Sequence, residues 1–482
     1  MSISTALVNA QSGLSASARG VEVVSNNVSN ALTPGYIRRE VVLSSLSLEG
    51  ASGGVRVTEV ARQTNPVATA DRRAADSQLS ADSTEANAYA RILSAVGEPG
   101  DAFGLVSRLD QFDTALSRAV TSPESLSAME SVVSSARSLS GTLRAVTEVT
   151  AAVRMDADVG ISRQVRSLNA AMQDVVRLNG EIRTRAAAGA DVNALIDARD
   201  RALDSISQSI PIRVVRREGD QIAVFTQGGA ALVDGKAATL EFAATPTITP
   251  GMTVADGSLS RLIYNGVEVS PETGLFDGGA LAADFRLRDE IAPSIQADLD
   301  GLAADLIDRM VAADPTVATG GVGLFTDDGG ALVSTDVTGL AGRLSVNTAV
   351  MSGSGGDPFA LRDGLNATSP RPSGDPTLLL AMRDALEERT VAPPGVSDPR
   401  TLSFTARIAS VAGTIATSAD SADQALAYTT AKAADLLTEE QRLTGVDTDQ
   451  ELQTLLALEE AYAANARVLS VADDLVKLLL EI

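Results

Sequence analysis

The sequence predicts a mainly α protein with a smaller β part: paired N- and C-terminal coiled-coil helices, a long helical bundle and a small β subdomain, with discontinuous domains. Three observations carry this reading. Apolar residues recur at alternating spacings of four and three at both ends of the chain. No proline falls between Pro123 and Pro211, and glycine is sparse up to about Ala188. Hydrophobic residues make up 44% of the chain but aromatics only 3%, with no Trp, which suits closely packed helices better than a large aromatic core. At 482 residues the chain has room for more than one domain.

The first helix is marked by Ile3, Leu7, Ala10, Leu14, Ser17, Val21, Val24, Val28 and Ala31, a heptad seam with Ser17 its one polar member. Thr33-Pro34-Gly35-Tyr36 ends it, because Pro34 disfavours α geometry at Thr33 and Pro-Gly fits a type II turn. Residues 40–48 and 54–62 alternate loosely and predict short extended segments or a hairpin across Gly50–Gly54. A helical block runs from about Pro66 to Ile210. In 121-TSPESL-126, Ser122 reads as an N-cap, Pro123 as the first helical residue and Glu124 as a charge favoured at the positive helix end. Another helix, 192–210, stops at Pro211. Segments 212–227, 237–244 and 260–270 read as strands between Gly and Pro turns. A helix resumes over about 280–313, and residues 314–374 read as loops with a few short strands. The pattern is helical again from about Leu402 to Leu443, where Gly445 breaks it.

The last helix, about Asp449 to Ile482, repeats the opening device. Leu455, Leu458, Tyr462, Asn465, Leu469, Ala472, Val476 and Leu479 form its seam, and Asn465 is the single polar member. A lone seam Asn often fixes register at a cost in stability. The economical fold pairs the two ends. Residues 1–60 with 444–482 then form a terminal coiled-coil domain, and 61–210 with 281–313 and 375–443 a helical bundle. Residues 211–280 form the β subdomain, and 314–374 a loop-rich segment.

Composition excludes much chemistry. With no Cys and no His, the usual zinc sites, cysteine nucleophiles and histidine bases are impossible. Net charge is −23 and the only lysines are Lys236, Lys432 and Lys477, so no basic footprint for nucleic acid or an anionic membrane is visible. The opening residues lack a basic region and a continuous apolar run, so no secretory signal peptide is expected, and no segment is apolar enough to insert in a membrane. Segment 229-GAALVDGKA-237 departs from a phosphate loop at Ala230 and Ala237 and reads better as a β-turn. Asp327-Asp328-Gly329 lacks calcium-loop spacing and reads as a solvated turn. Glu459 and Glu460 point in different directions on a helix, so they suggest solvent or intersubunit charges and no catalytic pair. Tyr462 is either a packed seam aromatic or an intersubunit anchor. No cofactor and no enzymatic activity is expected.

The opening 6-ALVNAQSGLSASARGVEVVSNNVSNALTPGYIRRE-40 and the ending 444–482 resemble the two terminal signatures of the bacterial flagellar rod, hook and hook-associated family. The interior stretches 197–235 and 280–311 are similar to its hook-associated members that sit between hook and filament. The resemblance implies a structural subunit of a ring of identical subunits, next to the hook protein on one side and a second junction protein on the other. It implies export through the flagellar type III apparatus, a cytoplasmic export chaperone and an extracellular location on the flagellum. It also implies two assembly motifs: Ser25, Asn26, Asn27, Val28, Asn30, Thr33, Pro34, Gly35 and Tyr36 at one end, and Gly445, Val446, Leu455, Leu458, Tyr462, Asn465, Leu469, Val476 and Leu479 at the other. Departures from the family pattern fall at Ser29, Leu32 and Glu459-Glu460. An outer β-domain that many relatives insert after a segment like 323–330 is expected to be reduced or missing. A hook or rod component, or a soluble enzyme or binding module with an incidental coiled coil, remain the competing classes. For the asparagines, Asn26 and Asn30 share a helix face that could bond neighbouring subunits; the alternative is local cap and turn work.

Overall fold

Small and straight-chain side chains let one helix run unbroken through most of this molecule. The computed structural model describes residues 3–480 except 49–50, 99, 270–273, 334–335 and 394. The chain opens with α1 (Ile3–Asn30), a hairpin of β1 (Arg39–Leu48) and β2 (Ala51–Arg62), then α2 (Pro66–Val96) and α3 (Leu105–Thr121). Helix α4 (Leu126–Ala187) follows, 62 residues long and about 93 Å from end to end at 1.5 Å per residue. Its N-cap is Ser125, whose hydroxyl accepts from the Ala128 amide, while Ser122 ends α3. The sequence placed this start three residues early. Residues 122–125 instead form a turn, with the Ser125 amide donating to the Ser122 carbonyl.

Two hydrophobic cores lie along α4. Its first half packs with Phe112 of α3, with α7 (Ala292–Ala313) and α10 (Thr377–Glu387), and with Phe404 at the start of α11 (Phe404–Thr444). Its second half, with Ile161, Val165 and Leu168, packs with α5 (Asn193–Ser209) and α6 (Gly279–Arg286) and with the strands of 211–280. Those strands form two antiparallel sheets. One has the order β3-β4-β5-β6 (Ile212–Arg216, Ile222–Thr226, Ala231–Asp234, Lys236–Ala237) and the other β7-β8-β9 (Leu240–Glu241, Leu262–Tyr264, Val267–Val269). Strand β5 and the turn at Gly235 occupy the segment that superficially resembled a phosphate loop.

The sheets are tied to the spine by two asparagines of α4. Asn179 donates to the Ile222 carbonyl (2.9 Å) and accepts from its amide (3.3 Å); Asn169 treats Leu240 the same way (2.7 and 3.0 Å). Each satisfies a strand residue that no neighbouring strand covers on that side.

Helix α6 runs through a π turn (Leu287–Ile291) into α7. Residues 314–374 fold down onto the bundle. Phe325 of β10 (Phe325–Asp327) meets Phe112 edge-on at 5.7 Å, and Leu340 of the short α8 (Leu340–Arg343), Leu344, and Leu361 of the short α9 (Ala360–Asp363) enter the first core. The buried Asp300 of α7 accepts from the Gly339 and Ala341 amides (2.7 and 2.8 Å), stapling the segment in place. Asp328 and Gly329 both have positive φ, as a tight turn requires, and Asp327 pairs with Arg343. The chain ends with α12 (Thr448–Leu480), which packs along α1, while α11 packs along α2. Among the described residues no helix is long and apolar enough to cross a membrane.

Phe112→Ala removes a fully buried ring and should cost about 3–5 kcal/mol. Phe103→Ala, at a 71% exposed position, should change stability by less than about 0.5 kcal/mol. Urea unfolding of the two variants checks this; similar losses would mean the first core does not govern the bundle.

Candidate assembly interface

Helix α1 is poor in bulk where it meets α12. Its buried side is Ala10, Ala16, Ser17, Gly20, Val23, Val24 and Asn27. A side chain on Gly13 would have its Cβ 2.7 Å from the Asn465 amide, and one on Gly20 would meet Leu458 at 2.8 Å. Further along, Asn27 bonds Glu451. These three meetings step by seven residues along both antiparallel helices. Ala6 and Ala472 continue the same step at the far end, where both line a small apolar cleft. Two of these four layers seat a large side chain of α12 over a glycine of α1.

The seam read from apolar spacing was half right. Ala10, Ser17 and Val24 belong to it, but its other row is Gly13, Gly20 and Asn27, not Leu14, Val21 and Val28. Leu14 and Val21 are half-buried and Val28 is 39% exposed. The helices approach too closely for a leucine or valine row between them. On α12, Leu455, Leu458, Asn465 and Val476 are half-buried, whereas Tyr462 and Leu469 are exposed at 47% and 37%. One thin helix can cover only one side of α12. The side chain of Leu479 lies outside the described residues. Asn465 donates to the Ala461 carbonyl of its own helix (2.9 Å), so it seats over Gly13 by shape and makes no bond to α1 among the described residues.

The amide-rich stretch folds inward through Asn27, which is 1% exposed. Its Nδ2 donates to the Arg39 carbonyl (2.8 Å) and to Glu451 (3.1 Å). Its Oδ1 accepts from the Arg39 amide (3.0 Å) and the Tyr36 hydroxyl (2.9 Å). All the bonding capacity of a buried primary amide is used. Burial raises the Tyr36 pKa above its ordinary value, which keeps the hydroxyl a donor. Glu451, also 1% exposed, takes the Arg38 guanidinium at 2.7 Å. Asn26, Ser25 and the Thr33-Pro34-Gly35 turn are exposed. Asn30 is spent locally: it donates to the Asn26 carbonyl (2.9 Å) and accepts from Thr33 (3.3 Å). The cap-and-turn reading therefore holds for Asn30, and the tertiary role falls to Asn27.

Turn geometry brings these groups together. Gly35 has φ +74 and lies against Arg201 of α5, so the turn requires glycine there. At the other end the Gly445 amide donates to Gln441 (2.7 Å) and closes α11; Val446 is half-buried beside it. Asp447 accepts from the Asp449 and Gln450 amides (2.9 and 3.1 Å), starting α12 so that Glu451 lands on Asn27.

From this clasp a chain of ion pairs leads into the bundle. Asp197, Asp200 and Asp204 share one face of α5. Asp197 holds Arg39 (2.9 Å) and Arg62 (2.8 Å), Asp200 holds Arg62 (2.7 Å), and Asp204 holds Arg73 and Arg72 (2.7 Å each). Arg72 continues to Asp76 and to Glu440 of α11. The terminal pair, the hairpin, α5, α2 and α11 are thereby fixed to one another. Sequence reasoning missed Arg38, Arg39, Glu451 and this acidic face, although 197-DARDRALD-204 carries the spacing that could have revealed it.

The architecture is that of a mainly helical protein whose two ends are paired. Residues 71–332 match the "Flagellar hook-associated protein FlgK helical domain", and residues 7–36 match "Flagella basal body rod protein". The "Flagellar hook-associated protein 1" of Salmonella typhimurium is 26% identical over 252 residues, 51% of this chain and 45% of that protein. The protein of the same name from Bacillus subtilis is 22% identical over 511 residues, 97% of this chain and 96% of the relative. A solved structure, "the flagellar hook junction protein FlgK from Burkholderia pseudomallei", aligns with TM-score 0.59 at 16% identity, covering 77% of this chain and 99% of that one, and so shares its fold. The chain spans about half the length of the enterobacterial relatives it matches. Because the helical-domain match runs over more than half of its 482 residues, the chain belongs to the flagellar hook-associated protein FlgK family, a family of structural flagellar proteins.

Asn27→Ala strands the Arg39 amide, the Tyr36 hydroxyl and Glu451, and should cost about 2–4 kcal/mol. Asn26→Ala should cost less than about 0.5 kcal/mol. Hydrogen exchange along α1 and α12 reads the difference; equal protection in both variants would remove the clasp from the account. Gly20→Val should part the helices and cost about 1–3 kcal/mol, seen as faster exchange confined to the same pair.

Proposed function

We propose that this chain is a structural subunit of the junction between flagellar hook and filament, built into a ring of identical subunits through its terminal helices. The observation that carries this is the uncovered side of α12. Leu452 and Leu456 towards its start, and Val468, Val471, Leu475 and Leu478 towards its end, are exposed at 47–61%, and Val468, Val471 and Leu475 flank the cleft with Ile3 and Ala6 of α1. Two exposed apolar patches on one helix call for neighbours. The names of the relatives, "hook-associated protein 1" and "hook junction protein", support the same reading.

On this reading the hook protein and a second junction protein are the axial neighbours. A cytoplasmic chaperone covers the C-terminal region before export through the flagellar type III apparatus, and no cleaved signal peptide is used. The role is non-enzymatic. The tight packing of residues 314–374 onto the bundle supports a reduced outer domain. The assembly motifs divide the work: Asn27, Tyr36, Leu455, Leu458 and Asn465 hold the pair, while Tyr462 and Leu469 face neighbours.

Electron microscopy of flagella from a strain lacking the gene tests the role. Hooks without filaments are expected; absent hooks would instead assign a hook or rod position. Leu456→Glu, at a 61% exposed position, in the complementing gene should leave the melting of the free protein unchanged and abolish filament attachment, since placing a charge in an apolar contact costs several kcal/mol. Normal swimming with this variant would mean the exposed side of α12 is not an interface.

A further inference from the structure

Asp284 of α6 is buried in the contact between α4 and α6, 8% exposed, and among the described residues no cation bonds it. Its carboxyl lies directly over Gly160 of α4, where any side chain would collide with it. Its hydrogen-bonding partner is Gln164, one turn further along α4, at 2.6 Å. As drawn, Gln164 Nε2 donates to the carboxyl, and Gln164 Oε1 is then buried among the described residues with no donor.

An amide can be turned over without changing its shape. If Asp284 carries a proton and Gln164 is turned, the carboxylic O–H donates to Oε1 along that 2.6 Å line. No lone charge is then buried, and the bond between α4 and α6 is kept. The short separation suits an O–H donor. The charged groups around the pair are otherwise engaged or turned to solvent. Arg163 of α4 is exposed, Glu85 of α2 pairs with Arg286, and Arg288 and Asp289 of the π turn pair with each other, Arg288 also with Asp158. From α5, the backbone of Ser209 and Ile210 packs beside Gly279 at the start of α6.

We infer that Asp284 and Gln164 form a neutral acid–amide latch between α4 and α6, closed by a proton and weakened when that proton leaves. Burial, opposed by the Gln164 bond and by Arg163, pushes the Asp284 pKa up to about 7. Gln164 also lines an open groove of about 580 Å³ with Ser80, Ser83 and Gln208, which gives the proton a short path to bulk water. The latch sits one residue before Phe285, a member of the second core, and three before the π turn that leads into α7. Losing the proton therefore loosens the point where α6 is anchored to the spine.

A carboxyl whose folded pKa exceeds its unfolded value adds stability that is complete below the unfolded value and is lost as pH rises through the folded one. The window here runs from about pH 4 to about pH 7. Other carboxylates titrate at its acid end, so the difference between wild type and Asp284→Asn isolates the effect. Full-length protein of both kinds should differ least at the acid end of that window. By pH 8 the variant should melt higher by about 1–3 °C. A gap that stays constant from pH 5 to pH 8 would overturn the latch. Should the variant fail to fold, wild-type protein labelled at the aspartate carboxyl carbons decides the matter. One resonance should titrate near pH 7, and the absence of any aspartate titrating between pH 6 and pH 8 would overturn the inference.

Discussion

The bond between Asn27 and Glu451 joins residues 424 apart in sequence, and the placement of both chain ends depends on it. Closing so long a loop is costly in entropy, so the contact has to be specific once made. It is specific because of what is left out of α1. Glycines at positions 13 and 20 admit Asn465 and Leu458 from α12, and either large side chain could sit over either glycine. Shape alone would tolerate a slip of one heptad. The asparagine–glutamate layer does not, because a slip buries Glu451 away from Asn27 and Arg38. Register is thus set at the turn end of the pair, and Asn465 is one of two equivalent knobs.

The clasp also decides how the terminal pair is carried. The residues that bond Asn27 from the outgoing chain, Tyr36 and Arg39, stack as a cation over a ring at 4.8 Å, and Arg39 is the first member of the ion-pair chain on α5. Isolated surface pairs contribute little. These are partly buried, share partners and bridge five elements, so they act as a joint between the ends and the bundle. This joint connects the terminal helices to the bundle.

Much of the fold was legible in the sequence because periodicity records burial. The long helices, the hairpin, the strand-rich interior and the pairing of the two ends follow from apolar spacing, proline and glycine. The seam of α1 was misread for a physical reason. Gly13, Gly20 and Asn27 bury surface without being apolar, so the eye follows Leu14, Val21 and Val28, which flank the contact. The inner role of Asn27 was illegible because neighbouring Asn26 and Asn30 are chemically identical; only the return of β1 beside α1 distinguishes them. Tyr462 and Leu469 were expected in the seam because heptad spacing cannot say how many helices will cover a face. The Ser122 cap failed because Ser125 offers the same chemistry three residues on.

The absence of cysteine makes the register directly measurable. Two single pairs of substitutions suffice: Gly20→Cys with Leu458→Cys, in register, and Gly13→Cys with Leu458→Cys, offset by one heptad. Mild oxidation should crosslink the first pair and leave the second reduced, since a disulfide tolerates little error in separation. With Asn27→Ala added, the offset pair should begin to crosslink. Equal crosslinking of both pairs with Asn27 intact, or no change when it is removed, would contradict the claim that Asn27 and Glu451 set the register of the terminal helices.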